Sequence, residues 1–396
     1  MSLAGIVLAY SGVACAHPDG APPVDHPLVV GFERFFAEGD SSQYLATGGV
    51  LLIQELGCVA CHAAPRGWVN ALAPSHGGAS VEVMSRGLEY PELWLAIRNP
   101  PTFRNGARMP ELFAHASRDP DHIVALASYL HFAFHEEVAG NAPPPPGEAA
   151  KEGDPAVGRE LYHRVGCIAC HAPEVPEGEE EPNVNSISLG VAEVCEPEMV
   201  AGILSGGRNH PDLQLAPQER ADLVAYLQTP GGTEVGVDPA LLAGEPVPGL
   251  VGEGSRLFQE MRCVSCHEGG KPKAPSQAPV RLPGLITLRA GEGCVSLTPE
   301  MGIPYFGLSS LQREAIAMAL ARLAEDPSGD AWTEEEAIDL RLEARNCYAC
   351  HTWREKGGLE GARAALMGGQ AREKIPSLDR LTDDPRTGGC RFRVAD

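Results

Sequence analysis

The chain has 396 residues, more than one small domain needs, and its 31 Lys+Arg against 53 Asp+Glu leave a net charge of −22. That balance argues against nucleic acid or an anionic membrane surface as a partner and suits a basic protein partner. Gly 45 and Pro 35 make up roughly a fifth of the residues, which predicts much loop and linker, while only 6% are aromatic. Cores of about a hundred residues built from so few aromatics leave room for something other than side chains.

Met1 to Ala16 form a short apolar run through Leu3, Ile6, Val7, Leu8 and Val13, ending in the small residues Ala14, Cys15 and Ala16. This reads as an export signal, too short to span a bilayer, and predicts an extracytoplasmic or periplasmic chain. No basic residue precedes the run, so signal cleavage, lipid attachment at Cys15 and no signal at all stay open, and Gly12 suits lipidation poorly. No other stretch reaches the eighteen or so apolar residues of a membrane span.

Tyr44, Leu45, Leu51, Leu52 and Leu56 recur at helical spacing and predict an amphipathic helix running into Cys58-Val59-Ala60-Cys61-His62. A second helix is expected over Asp121 to His131, and the Pro/Gly-rich stretch Ala142 to Pro155 reads as a linker. The pattern then restarts. Leu161, Tyr162 and Val165 lead into Cys167-Ile168-Ala169-Cys170-His171, followed by a helix over Pro217 to Leu227 and a linker over Thr229 to Gly252. Leu257, Phe258 and Met261 lead into Cys263-Val264-Ser265-Cys266-His267, with a helix over Ser309 to Leu323 and a linker over Glu325 to Ala331. Ile338, Leu340 and Leu342 lead into Cys347-Tyr348-Ala349-Cys350-His351, after which no distal loop or final helix follows. A period of about a hundred residues predicts tandem domains over 30–140, 155–230 and 251–325 and a partial one over 332–396. The chain stops six residues after Cys390, so the fourth copy is expected to be truncated, with Met367 as a substitute ligand if it is complete.

Each copy carries C-x-x-C-H, the attachment signature of c-type haem. Two thiols three positions apart on a helical turn reach the two vinyl groups of one porphyrin, and the adjacent His lies beneath the iron. Structural zinc usually needs a second Cys pair within about twenty residues, whereas the first cysteines here are 109, 96 and 84 positions apart. A thioredoxin-type pair gives no reason for a His after every motif. Four haems, attached at Cys58/Cys61, Cys167/Cys170, Cys263/Cys266 and Cys347/Cys350 with His62, His171, His267 and His351 as proximal ligands, are therefore expected.

An N-terminal helix, C-x-x-C-H, a loop and a final helix with Tyr129-Leu130 or Tyr226-Leu227 resemble the class I cytochrome c family, fully in three copies and partly in the fourth. The resemblance implies a mainly α fold of tandem cytochrome c-like domains joined by Pro/Gly-rich linkers. It also implies a distal ligand, commonly Met before Pro, ahead of each final helix. Met109, in Arg108-Met109-Pro110 and preceded by a helix over Trp94 to Asn99, fits that role for the first haem, with Met84 as substitute. His210, in Asn209-His210-Pro211, stands at the corresponding place for the second, with Met199 as alternative. In the third copy the position falls on Ile303, which cannot coordinate iron; Met301 is the candidate, Tyr305 a lesser one, and an open iron the alternative.

Cys195, Cys294 and Cys390 occupy matching places in copies two to four, as disulfide partners or buried free thiols. His131 and His135 read as a solvated helix end, not a metal pair. The function this implies is electron transfer between redox partner proteins, free or as the cytochrome subunit of a dehydrogenase or respiratory assembly. The competing expectation is a haem enzyme, a peroxidase or small-molecule reductase, acting at an open iron in the third or fourth copy. A third is that these modules form one end of a larger protein whose other part does the chemistry.

Overall fold

The computed structural model describes residues 24–36, 42–73, 81, 85, 88, 90–104, 106–115, 119–135, 152–165, 167, 200–201, 204, 215–228, 245–267, 282–289, 291–359, 364, 375 and 377–380. Cys170, His171, Cys195, Met199, His210, Met367 and Cys390 lie outside the described residues, as do Met84 and the expected export segment. The described chain is mainly α. Its helices are α1 Val30–Phe35, α2 Ser42–Glu55, α3 Tyr90–Arg98, α4 Pro100–Phe103, α5 Asp121–His135, α6 Pro155–Val165, α7 Pro217–Leu227, α8 Val251–Glu260, α9 Ser310–Glu325 and α10 Glu334–Ala344. One antiparallel hairpin, β1 Thr352–Trp353 with β2 Lys356–Gly357, follows α10. Among the described residues no helix is long and apolar enough to cross a membrane.

Local sequence starts these helices. Ser309 and Gln312 form a reciprocal capping box on α9, with the Ser309 hydroxyl accepting from the Gln312 amide at 3.1 Å. Thr333 and Glu336 do the same on α10, whose first turn carries Glu334, Glu335 and Glu336 toward the positive end of the helix dipole. Asn99 caps the short α4, whose first two residues are prolines.

Three helix pairs cross by one device. A Cβ on Gly49 of α2 would lie 1.9 Å from the Ala315 carbonyl oxygen and 2.8 Å from the Ala319 Cβ of α9. On Gly254 of α8 it would meet the Ala125 oxygen at 2.0 Å and the Tyr129 Cβ at 2.5 Å on α5. On Gly158 of α6 the neighbours are the Asp222 oxygen at 2.0 Å and the Tyr226 Cβ at 2.8 Å on α7. Each glycine stands nine residues before the first cysteine of its motif, and only a residue without a Cβ lets the backbones approach this closely. Ile338 stands at that place in α10 and is 38% exposed.

The pairing does not follow chain order. Where the sequence reading drew 30–140 and 251–325 as separate units, the final helix of the third copy packs on the first helix of the first copy, and the final helix of the first copy packs on the first helix of the third. One core gathers Leu51, Leu52 and Ile53 of α2 with Ala315, Ile316 and Leu320 of α9. A second gathers Tyr90, Trp94, Leu112 and Leu126 with Leu257 and Phe258 of α8. The physical reason is burial: each fully buried leucine contributes about 2 kcal/mol, whichever stretch of chain supplies its neighbours. Copy two keeps its own pair, with Leu161 and Tyr162 against Leu223 and Val224.

The fourth copy's α10 docks on α1 and α2, where Gly31 faces the Glu343 carbonyl. The stretch Glu325 to Ala331, read as a linker, instead packs in. The Asp326 carbonyl accepts from the Trp68 indole at 2.6 Å, and Arg322 lies over both Trp68 and Trp332, 5.5 and 4.9 Å from the ring centroids.

Candidate functional site

The three motifs that are described in full share one backbone. The residue ahead of the first cysteine is left-handed: Gly57 (φ 67°, ψ 31°), Arg262 (φ 63°, ψ 26°) and Asn346 (φ 52°, ψ 31°). A single 3-10 turn follows, and the second cysteine lies at φ −116°, −114° and −117° in Cys61, Cys266 and Cys350. The His amide then donates to the first cysteine's carbonyl, at 3.0 Å for His62 and 2.9 Å for His267 and His351. Each of the three left-handed residues sits just past the end of its helix, where such a residue is a common terminator, and there a non-glycine such as Arg262 bears a cost of about 1–2 kcal/mol.

Burial pushes the Cys58, Cys167 and Cys263 thiols up to about 12. That is the reverse of the lowered thiol of a redox-active C-x-x-C pair. Cys58, Cys61, Cys263 and Cys266 form no disulfide, so both sulfurs of the first and of the third motif remain available to a ligand. Among the described residues no group of three His, Cys, Asp or Glu is placed to hold a metal ion.

His62 is oriented from the third copy. Its Nδ1 lies 2.8 Å from the Pro283 carbonyl oxygen, which can only accept, so Nδ1 carries the proton and Nε2 is left with its lone pair for a metal. The Leu285 amide donates to the Ala63 carbonyl at 3.0 Å and fixes this contact. In the fourth copy the corresponding support is local: the Ser377 hydroxyl donates to the Thr352 carbonyl at 3.0 Å, directly after His351. A cavity beside that motif is lined by Cys350, Thr352, Gly357, Gly358, Leu359 and Ile375.

The first and third motifs lie side by side. A Cβ on Gly57 would sit 3.9 Å from the Cys266 sulfur. Burial, then the neighbouring Cys61 thiol, pushes Cys266 up, and the same two causes push up Cys294. Cys294, read as a matching residue of the third copy, therefore lies by the first motif.

Met109 is half-buried in a loop whose next residues, Leu112 and Phe113, join the core of α8 and Cys263, not the core of α2 and Cys58. Met301 is 72% exposed in the loop ahead of α9, the helix that crosses α2. The two loops meet where Glu111 and Tyr305 exchange backbone hydrogen bonds of 2.7 and 3.1 Å. His131 stands edge-on to Tyr90 with centroids 6.2 Å apart, half-buried on a helix expected to end in solvent. Sequence reasoning missed Pro283 as the partner of His62 and the crossing glycines. The fixed nine-residue spacing was the available signal for the glycines; nothing in the sequence pointed from Pro283 to His62.

Neither a family model, nor a curated protein, nor a solved structure matches this chain.

Proposed function

We propose that this chain is a multihaem c-type cytochrome that carries electrons between redox partner proteins outside the cytoplasm. Its helices would form cytochrome c-like units, one for each haem. Support comes chiefly from one observation: Nδ1 of His62 is committed to a carbonyl, beside a half-buried C-x-x-C without a disulfide, whose backbone recurs in two further motifs. Cys58/Cys61, Cys167/Cys170, Cys263/Cys266 and Cys347/Cys350 would form the thioethers, and His62, His171, His267 and His351 the proximal bonds. Haem iron held there supplies a ferric/ferrous couple whose potential the protein sets through its ligands and burial. The protein's own work is to orient the imidazoles, exclude water from the thioether side and keep the motifs adjacent. His210 and Met109 are the proposed distal ligands among the loop residues. The −22 charge suits a basic redox partner, a dehydrogenase or a respiratory complex. The apolar segment Met1 to Ala16 suits export, with cleavage or lipid attachment at Cys15.

The exposure of Met301 favours a second reading, a haem enzyme such as a peroxidase or small-molecule reductase with one iron open to substrate. Visible spectra of the mature protein, made with its attachment machinery and taken oxidised and reduced with and without carbon monoxide, separate the two. A Met–iron charge-transfer band without a carbon monoxide response is the expected result. A substantial carbon monoxide-binding fraction would favour the enzyme, and a colourless folded chain would refute both.

A further inference from the structure

We propose that the first and third repeats exchange distal halves around two adjacent haems, so that Met109 ligates the iron held at Cys263, Cys266 and His267. The loop 291–309 then closes over the haem held at Cys58, Cys61 and His62. This rests on the haem-carrying reading above.

Each motif lies at the end of a helix whose partner belongs to the other repeat. α2 runs into Cys58 and meets α9 through Gly49, and Cys58 and Val59 pack on the core that holds Leu285, Leu308 and Ala315. α8 runs into Cys263 and meets α5 through Gly254, and Cys263 and Met261 pack on the core that holds Trp94, Leu112 and Phe113. The proximal side repeats the exchange, since Pro283 and Leu285 of the third copy hold His62 and Ala63 of the first. On the other unit the Val247 amide, just ahead of α8, donates to the Ser128 hydroxyl of α5 at 3.0 Å.

Three contacts pull the other way, the first of them the Leu28 amide donating to the Gly106 carbonyl at 2.9 Å, next to Val29 of the first core. Arg108, next to Met109, pairs with Glu55 at 2.7 Å, one turn before Cys58. That contact crosses the boundary between the units, as the Glu111 and Tyr305 pair also does. The loop's own apolar residues decide its side, because Leu112 and Phe113 bury themselves with α8. With Gly57 against Cys266, the two haem sites share a wall. Intertwining would hold the irons at a fixed separation that a Pro/Gly linker between independent domains could not maintain.

The test follows the Met–iron charge-transfer band of the ferric holoprotein by magnetic circular dichroism. Met109→Ala is expected to abolish a band that survives in Cys58→Ala/Cys61→Ala and is lost in Cys263→Ala/Cys266→Ala. The reverse pattern, or a haem-loaded protein whose band ignores Met109, overturns the proposal. Should the double variants not fold, Cys58→Ala and Cys263→Ala each keep their haem through one thioether and red-shift only its reduced absorption. In combination with Met109→Ala, carbon monoxide is expected to bind the red-shifted haem of Cys263→Ala; binding to that of Cys58→Ala instead refutes the exchange. A protein with no covalent haem fails the underlying reading, a result distinct from haem present with the band assigned to the first motif.

Discussion

The second repeat and the intertwined first and third repeats solve one packing problem with different partners. In all three crossings a glycine admits the carbonyl of the facing helix, with Tyr226, Tyr129 or Ala319 one turn further on. Facing Gly158, however, stands Asp222, where the other two crossings have Ala125 and Ala315. The Asp222 carboxylate accepts from the Asp154 amide at 2.9 Å and from the Gln218 amide at 2.9 Å, which ties α7 to the start of its neighbour α6. The other two pairs lack that latch and are held across repeats instead. Gln312 of α9, for example, donates to the Pro27 carbonyl at 2.8 Å and to Glu33 of α1 at 3.1 Å. The crossing itself is therefore a local property of the glycine, whereas the choice of partner comes from a few polar contacts around it.

The largest break in this comparison is expected from Gly49→Leu or Gly254→Leu. Either one forces side-chain atoms into a backbone carbonyl, costs about 3 kcal/mol or more, and should loosen both intertwined cores together. Gly158→Leu should loosen only α6 and α7. Amide hydrogen exchange resolved by segment reads the difference, and loss of protection confined to a single repeat in the Gly49 variant would count against the shared unit.

Next in size is Lys356→Met, which acts where the fourth repeat docks. Lys356 pairs with the fully buried Glu343 and, at 2.8 Å, with Asp339. Burial pushes the Glu343 carboxyl up to about 8 against the pull of that ammonium. A folded-state value above the unfolded one means the stability contribution is complete at low pH and is lost as pH rises toward 8. Removing Lys356 should deepen that loss, costing up to about 3 kcal/mol once pH passes about 8, where Glu343 would otherwise ionise beside the ammonium, and less near neutrality and in acid. Urea denaturation at several pH values measures it.

Asp222→Ala is expected to cost about 1 kcal/mol, with the exchange protection of α6 and α7 falling while α2 and α9 keep theirs. The smallest effect concerns His26, which bridges Asp25 at 3.0 Å and Glu33 at 3.4 Å beside the Gln312 contact. The hydrogen bond to Glu33 raises His26, so its stabilisation is full below the unfolded value and disappears as pH climbs through the raised one. Comparison of thermal midpoints should show His26→Ala weakening the protein more at pH 5.5 than at pH 8.5, conditions on the order of one to two units either side of an ordinary histidine.

Much of this was legible in the sequence. Helical spacing placed the helices ahead of Cys58, Cys167, Cys263 and Cys347, and the later helices over 121–135, 217–227 and 310–325, to within a few residues. The repeated C-x-x-C-H recurs as one shared turn in the three motifs that are described in full. Partner choice was hidden, because apolar faces such as Leu51, Leu52 and Ile53 encode burial and not the identity of what covers them. The role of Pro283 was hidden for a related reason: its carbonyl, not its side chain, meets His62. Composition also misread Glu325 to Ala331, whose turn residues cap one another and pack on Trp68 as an ordered corner.

The central claim is best tested by the intact mass of the mature protein under denaturing conditions, after production with its haem-attachment machinery. Four haem masses retained on the unfolded chain are expected, with two lost in a Cys58→Ala/Cys61→Ala/Cys263→Ala/Cys266→Ala variant. A folded chain whose mass shows no retained haem would contradict the account.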